Sequence, residues 1–178
     1  MGERRTAVGV SDVGHSGYIE PMTPPDPALD AAVDPRSLTP SQWRAVLRAE
    51  EFAILREAAT ERPGSSPYNT DPGPGAFHCA GCAARLYSAE HKFHSGCGWP
   101  SFFQEVAPGA LEVHRDVSHG MVRTEMRCAR CGGHMGHIFG DAPQTPTGTR
   151  HCVNGLAVVH VPEGAEVGAV FAAWRRGG

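Results

Sequence analysis

Four of the six cysteines in this 178-residue chain come as two CxxC pairs, Cys79-Ala80-Gly81-Cys82 and Cys128-Ala129-Arg130-Cys131. A CxxC turn lets two thiolates reach one ion, and two such turns complete a tetrahedral four-sulfur shell. Gly81 and Gly132 suit turns that need a positive φ. Four thiolates leave no position for water, so the spacing predicts one zinc ion in a structural role. The competing reading is redox CxxC chemistry, which needs only one pair and a βαβ setting. The 45 residues between the pairs exceed a compact zinc ribbon and require a β insertion.

Cys97 and Cys152 remain. Cys97 lies in the glycine-flanked run Ser95-Gly96-Cys97-Gly98-Trp99-Pro100, and Cys152 follows Arg150-His151 and precedes Val153-Asn154. Arg150, and His151 when protonated, favour the thiolate of Cys152, the form that attacks. A free cysteine is also commonly a small buried hydrophobe; that reading suits the apolar strand around Cys152 better than the turn around Cys97. His134 and His137 form an HxxH step without the carboxylate of a hydrolytic zinc helix. Together with Arg150, Asn154 and a thiol, they predict a proton-handling site.

The rest of the chain must position these groups. Hydrophobic residues at 40% and charged residues at 20% exclude a wholly disordered chain. Twenty-two glycines and 15 prolines argue against a long-helix bundle. A net charge of −3 gives no general pull toward nucleic acid or an anionic membrane. No apolar run approaches the ~20 residues of a membrane span, and the first ten residues do not read as a secretory signal. An even cysteine count without an export signal favours metal or redox chemistry in an intracellular, cytoplasmic protein over a disulfide framework.

Residues 1–36 read as a flexible, proline-rich leader. A helix starts at Thr39, with Pro40 in its first turn and Gln42 completing a capping box, and runs to about Ala59 with Glu50 and Glu51 on a solvated face. Segments 111–117 and 121–127 alternate around a short turn, and 151–161 is a third extended segment. The body, 37–162, therefore reads as mainly β and antiparallel. Residues 163–178 form a tail with room for a short helix.

Several motifs in order resemble methionine sulfoxide reductase B. They are Cys79-x-x-Cys82; Lys92-Phe93-His94-Ser95-Gly96-Cys97-Gly98-Trp99-Pro100-Ser101-Phe102; Ser118-His119-Gly120-Met121-x-Arg123-x-Glu125; Cys128-x-x-Cys131-x-x-His134-Met135-Gly136-His137-Ile138-Phe139; and Pro146-Thr147-Gly148-x-Arg150-His151-Cys152-Val153-Asn154. Thr60-Glu61 matches a further element before the first cysteine pair. The resemblance spans roughly residues 38–162. It implies two small antiparallel sheets, tent-like or a partly open barrel, with an N-terminal helix and a zinc knuckle at the edge. It implies reduction of the R epimer of methionine sulfoxide in oxidised proteins by a monomer that thioredoxin recycles. Carried over, Cys152 is the nucleophile and passes through a sulfenic acid, and Cys97 resolves it as a disulfide. Trp99, with Phe139 and Arg150, contacts the substrate, and His137, His134 and Asn154 hold and protonate the sulfoxide oxygen. The chain departs from the family pattern at His151, usually aromatic, at His94, often acidic, and in a longer 141–146 loop. A non-catalytic zinc-knuckle module that binds a protein partner is the reading from another class; it leaves Cys97, Cys152 and the histidines idle.

Overall fold

The computed structural model describes residues 26–177; the expectation for residues 1–25 lies outside them. From Asp26 onward the chain is laid along the body. Asp26 pairs with Arg175 at 2.7 Å, the Pro27 carbonyl accepts from Arg130 at 3.2 Å, and Arg36 pairs with Glu112 at 2.6 Å.

Thr39 and Gln42 form the expected capping box, the Thr39 amide donating to the Gln42 side-chain Oε1 at 2.8 Å. The single helix expected from there to Ala59 is two: α1 (Pro40–Val46) and α2 (Ala49–Glu57). Leu47 and Arg48 are extended, and Glu51 accounts for the break. Its carboxylate turns back to accept from the Arg48 amide at 2.9 Å, starting α2, and also accepts from the Trp174 indole at 2.6 Å. Glu51 is therefore buried, at 1% exposure, and not on a solvated face; Glu50 alone is exposed.

Among the described residues, nine strands follow in two antiparallel sheets: β1 (Gly75–Cys79), β2 (Arg85–Ser88), β3 (Lys92–Phe93), β4 (Ser101–Phe102), β5 (Leu111–Asp116), β6 (Arg123–Cys128), β7 (His134–Phe139), β8 (Arg150–Val153) and β9 (Val158–Pro162). The orders are β2-β1-β9 and β3-β4-β8-β7-β6-β5. Both sheets keep free edges, so neither closes into a barrel. Aromatic packing joins them: Tyr87 of β2 stacks on Phe102 of β4 at 4.2 Å between centroids, and Phe77 of β1 meets the same ring edge-on at 4.9 Å. A last helix, α3 (Val167–Arg175), buries Phe171 against the body.

The segment 151–161, expected as one extended run, is split between the sheets. β8 belongs to the larger and β9 to the smaller, with a 3-10 turn at Gly155–Ala157 between them. The Glu61 carboxylate takes the Gly155 and Leu156 amides at 2.6 and 3.2 Å, so neither is free to continue a ladder. Cys152 consequently sits near the end of a strand instead of inside a long one.

Candidate active site

The two CxxC turns are near copies. In the first, the Ala83 amide donates to the Cys79 carbonyl at 2.8 Å; in the second, the Gly132 amide donates to the Cys128 carbonyl at 2.7 Å. The residue after each second cysteine is left-handed, Ala83 at φ 58° and Gly132 at φ 70°. Gly81, expected to need that conformation, does not adopt it. It packs on Trp43 and Leu55 instead.

The turns bring the sulfurs of Cys79, Cys82, Cys128 and Cys131 within 4.8 Å of one another. Cys79 and Cys131 are 3.6 Å apart, and Cys82 and Cys128 are 3.7 Å apart. A metal–sulfur bond of about 2.3 Å gives a tetrahedron with an edge of ~3.8 Å, so the spacing fits one ion. All four residues are buried, and an all-sulfur donor set suits a soft or borderline cation. Hydrogen bonding with Cys128, then the other neighbours and burial, hold Cys79 well up, whereas its partners hold Cys128 down.

Four arginines from four parts of the chain donate to the carbonyls of these turns. Arg36 reaches Ala129 at 2.7 Å, Arg56 reaches Cys131 at 3.0 Å, Arg175 reaches Ala80 at 2.9 Å, and Arg130 bonds Cys82. These bonds tie both turns to the surrounding chain, and Arg36 and Arg175 are also paired with Glu112 and Asp26.

A second sulfur site lies across the larger sheet. Antiparallel register aligns Ser101 with Cys152, Cys152 with His137, His137 with Glu125 and Glu125 with His114. Directly opposed residues share a face, so these side chains form one row. Phe139 and Arg150, also opposed, lie one step further along the same face. Gly136 makes the crossing possible: at φ 150°, it would place a Cβ 2.0 Å from the Cys152 carbonyl oxygen.

Cys97 joins the row from the loop before β4, its sulfur 3.8 Å from that of Cys152. Burial would raise Cys97, but the Ser95 hydroxyl at 3.0 Å and the Ser101 hydroxyl at 3.5 Å help bring it down to about 7. Cys152 is pushed up to about 12, first by burial and then by the Cys97 charge and their shared hydrogen bond; Arg150 pulls the other way and loses. Arg150 thus favours the Cys152 thiolate in the direction expected, against a larger opposing effect of burial. Arg150 is committed to Asp141 through two bonds of 2.9 and 2.7 Å and lies over the Phe139 ring at 4.5 Å. His151 lies 3.4 Å from the Tyr87 hydroxyl, and burial pushes it down to about 4, so it is neutral at pH 7.

The imidazoles each hold a carboxylate. His137 Nε2 lies 2.8 Å from Asp116, which Arg123 also contacts at 2.7 Å. His134 Nδ1 lies 2.7 Å from Glu125, leaving its buried Nε2 without a partner. Hydrogen bonds from Ser118, then His137 and Arg123, hold Asp116 far below the usual carboxylate range. Burial lowers His134 despite Glu125.

The SelR domain family matches residues 47–162. The peptide methionine sulfoxide reductase MsrB of Agrobacterium fabrum is 52% identical over 122 residues, 68% of this chain and 90% of the relative. Proteins of the same name from Bradyrhizobium diazoefficiens and Leifsonia xyli are 46% and 44% identical, over 78% and 68% of this chain and 99% and 88% of their own lengths. The chain belongs to the MsrB family.

As an MsrB-family enzyme, it gathers most residues singled out from its sequence, and not all in the same way. Cys97, Cys152, His137, Phe139 and Arg150 meet on one side of the larger sheet. Trp99 is held there by its indole nitrogen, which donates to the Glu61 carbonyl at 3.1 Å. Asn154 is placed differently. At 3% exposure, its amide nitrogen donates to the Met135 carbonyl at 3.2 Å and its oxygen accepts from the Glu61 amide at 3.1 Å, so both ends hold backbone. Sequence reasoning missed Asp116 and Glu125 as partners of the two histidines; their positions in the alternating hairpin were visible, but the pairing across the sheet was not. Among the described residues, no helix is long and apolar enough to cross a membrane.

Proposed function

We propose that the protein reduces methionine-R-sulfoxide residues in oxidised proteins through Cys152 and Cys97. The observation that carries this reading is the 3.8 Å approach of those two sulfurs on a half-buried face, with His137 opposite Cys152. The names of the relatives support the same chemistry.

Cys152 attacks the sulfoxide sulfur as the S–O bond breaks. The thiolate is the form that attacks, so Cys152 gives up its proton toward the sulfoxide oxygen as its sulfur bonds to the substrate sulfur. The sulfur–sulfur bond formed by the attack breaks when the released oxygen, as water, bonds to Cys152, so the sulfide leaves, Cys152 is left as a sulfenic acid, and no net proton is needed. Cys97 then attacks the Cys152 sulfur, and the hydroxyl leaves as water with a proton from the His137 side. An attacking thiol is most effective when its pKa is near the ambient pH, which suits Cys97 at about 7. Trp99 gives an apolar wall for the methyl group and the histidines give donors opposite, an arrangement that separates the two epimers; one reductase per epimer is the general rule for this chemistry. A thioredoxin-type dithiol reduces the disulfide and returns both thiols. Arg150, Phe139 and Asn154 shape the site around them.

Cys79, Cys82, Cys128 and Cys131 hold one zinc ion, whose chemistry is to fix four thiolates and with them the ends of β1 and β6. The protein acts as a cytoplasmic monomer. Cys152→Ser should abolish sulfide production from the R epimer, and undiminished turnover would sink the reading. Cys97→Ser should give one turnover and then stop with thioredoxin as reductant; normal cycling would mean that another thiol resolves.

A further inference from the structure

We propose that Glu61 is a positioning residue that clamps the Cys97 loop to the Cys152 strand end and so sets how readily the two sulfurs join. The inference rests on the redox-pair reading above. Thr60-Glu61 stands out in the sequence without a role attached, and it lies far from both cysteines along the chain.

All four polar groups of Glu61 are used, and they divide between the two cysteines. Its carboxylate accepts from the amides of Gly155 and Leu156 at 2.6 and 3.2 Å, three and four residues past Cys152. Its amide donates to the Asn154 side chain at 3.1 Å. Its carbonyl accepts from the Trp99 indole at 3.1 Å, two residues past Cys97. The following residues repeat the pattern. The Gly64 amide donates to the Gly98 carbonyl at 2.7 Å. Ser66 packs so tightly on Gly155 that a Cβ there would lie 2.0 Å from its hydroxyl, and a Cβ on Gly98 would lie 2.8 Å from Pro63. The segment from Glu61 to Ser66 is thus wedged between the two cysteine-bearing loops and touches both.

The other connection between those loops is slight. β4 and β8 share only the pairs Ser101–Cys152 and Phe102–His151, extended by one bond from the Val153 amide to the Pro100 carbonyl at 2.9 Å. Joining the sulfurs requires closure from 3.8 Å to about 2.0 Å. Two loops tied to one buried residue, one by its carboxylate and the other by its backbone carbonyl, approach along a fixed path; with the carboxylate removed, the Cys152 strand end samples a wider range and the sulfurs meet less often. Glu61 is 9% exposed and has no cation among its hydrogen-bond partners. Burial accordingly raises its pKa despite the two amides. A buried carboxylate is costly to maintain, and its partners here are backbone amides at the bend that ends the Cys152 strand.

The test uses the full, metal-loaded chain equilibrated in buffers of reduced and oxidised dithiothreitol, with the Cys97–Cys152 disulfide quantified by mass spectrometry after alkylation. Glu61→Ala should shift the equilibrium about tenfold toward the dithiol, ~30 mV for a two-electron couple, with circular dichroism and metal content unchanged. Glu61→Gln, which keeps one acceptor oxygen, should recover part of the shift. A folded Glu61→Ala within twofold of the wild type would overturn the proposal. If Glu61→Ala does not fold, Glu61→Gln decides by the same measurement: a shift of about threefold supports the clamp, and none overturns it. A wild type that never forms the disulfide would overturn the redox-pair reading and the clamp with it, whereas unshifted variants of a wild type that does form it overturn the clamp alone.

Discussion

The two sulfur sites hold their atoms at nearly the same separations, 3.6 and 3.7 Å in the knuckle and 3.8 Å between Cys97 and Cys152. Distance does not distinguish them; surroundings do. The knuckle cysteines are at most 2% exposed, and four guanidinium groups bond the carbonyls of their turns. Cys97 and Cys152 are only half-buried; hydroxyl groups adjoin Cys97, and the nearest arginine is occupied by Asp141. One environment closes four sulfurs off from solvent and ties their turns to the body. The other leaves two sulfurs half-buried, with Cys97 held down and Cys152 pushed up.

The sharpest way to break this contrast is to remove one sulfur from each site. Cys79→Ser should cost ~3 kcal/mol or more, because metal binding is folding free energy, and should lower the unfolding midpoint by about 10 °C. Cys97→Ser should stay within about 3 °C of the parent. Equal losses in thermal unfolding would erase the division between structural and redox sulfur.

Removing an arginine probes the knuckle more gently. Arg130→Ala should weaken metal retention by about 10- to 100-fold, the usual range for groups behind the ligands, measured by transfer to a chromophoric chelator. Unchanged transfer would mean that the guanidinium groups only join chain segments.

Acid should affect the redox side. His151 is held near 4 by burial against about 6.5 when unfolded. Its neutral form contributes full stability above pH 6.5, and that contribution is lost as the pH falls from there toward 4. The loss at pH 5 is about 2 kcal/mol. His151→Phe should therefore lose less stability between pH 7 and 5 in urea titrations; an identical loss would exclude His151 as the source.

The smallest effect concerns which sulfur carries the charge. Alkylation of the reduced protein should modify Cys97 first, with a rate that falls about tenfold per pH unit below 7. Faster labelling of Cys152 would reverse the assignment of the thiolate.

Much of this was legible in the sequence because it is local. The CxxC spacing marks the knuckle, Thr39 and Gln42 mark the start of α1, and the alternation in 111–127 marks the hairpin of β5 and β6. The illegible parts depend on distant partners. Glu51 reads as a surface acid until Trp174 is brought to it, 123 residues away. The extended run 151–161 reads as one strand until Glu61, 94 residues from Gly155, takes the amides that would have continued it. Arg150 reads as a neighbour of Cys152 alone until Asp141, nine residues before it, is seen to bond it as well.

The sequence by itself determined which residues are candidates for the chemistry: four cysteines in paired turns, two left over, and two histidines close to the second of these. Spacing within a turn and alternation along a strand are set by backbone geometry, so they can be read from residue order alone. Only the tertiary structure decided the state of those groups. Proton affinity depends on burial and on which charges stand nearby, and residues far apart in the chain supply both. That is why Cys97 is held down while Cys152 is pushed up, why burial holds His151 low, and why Glu61 stands between the two cysteines.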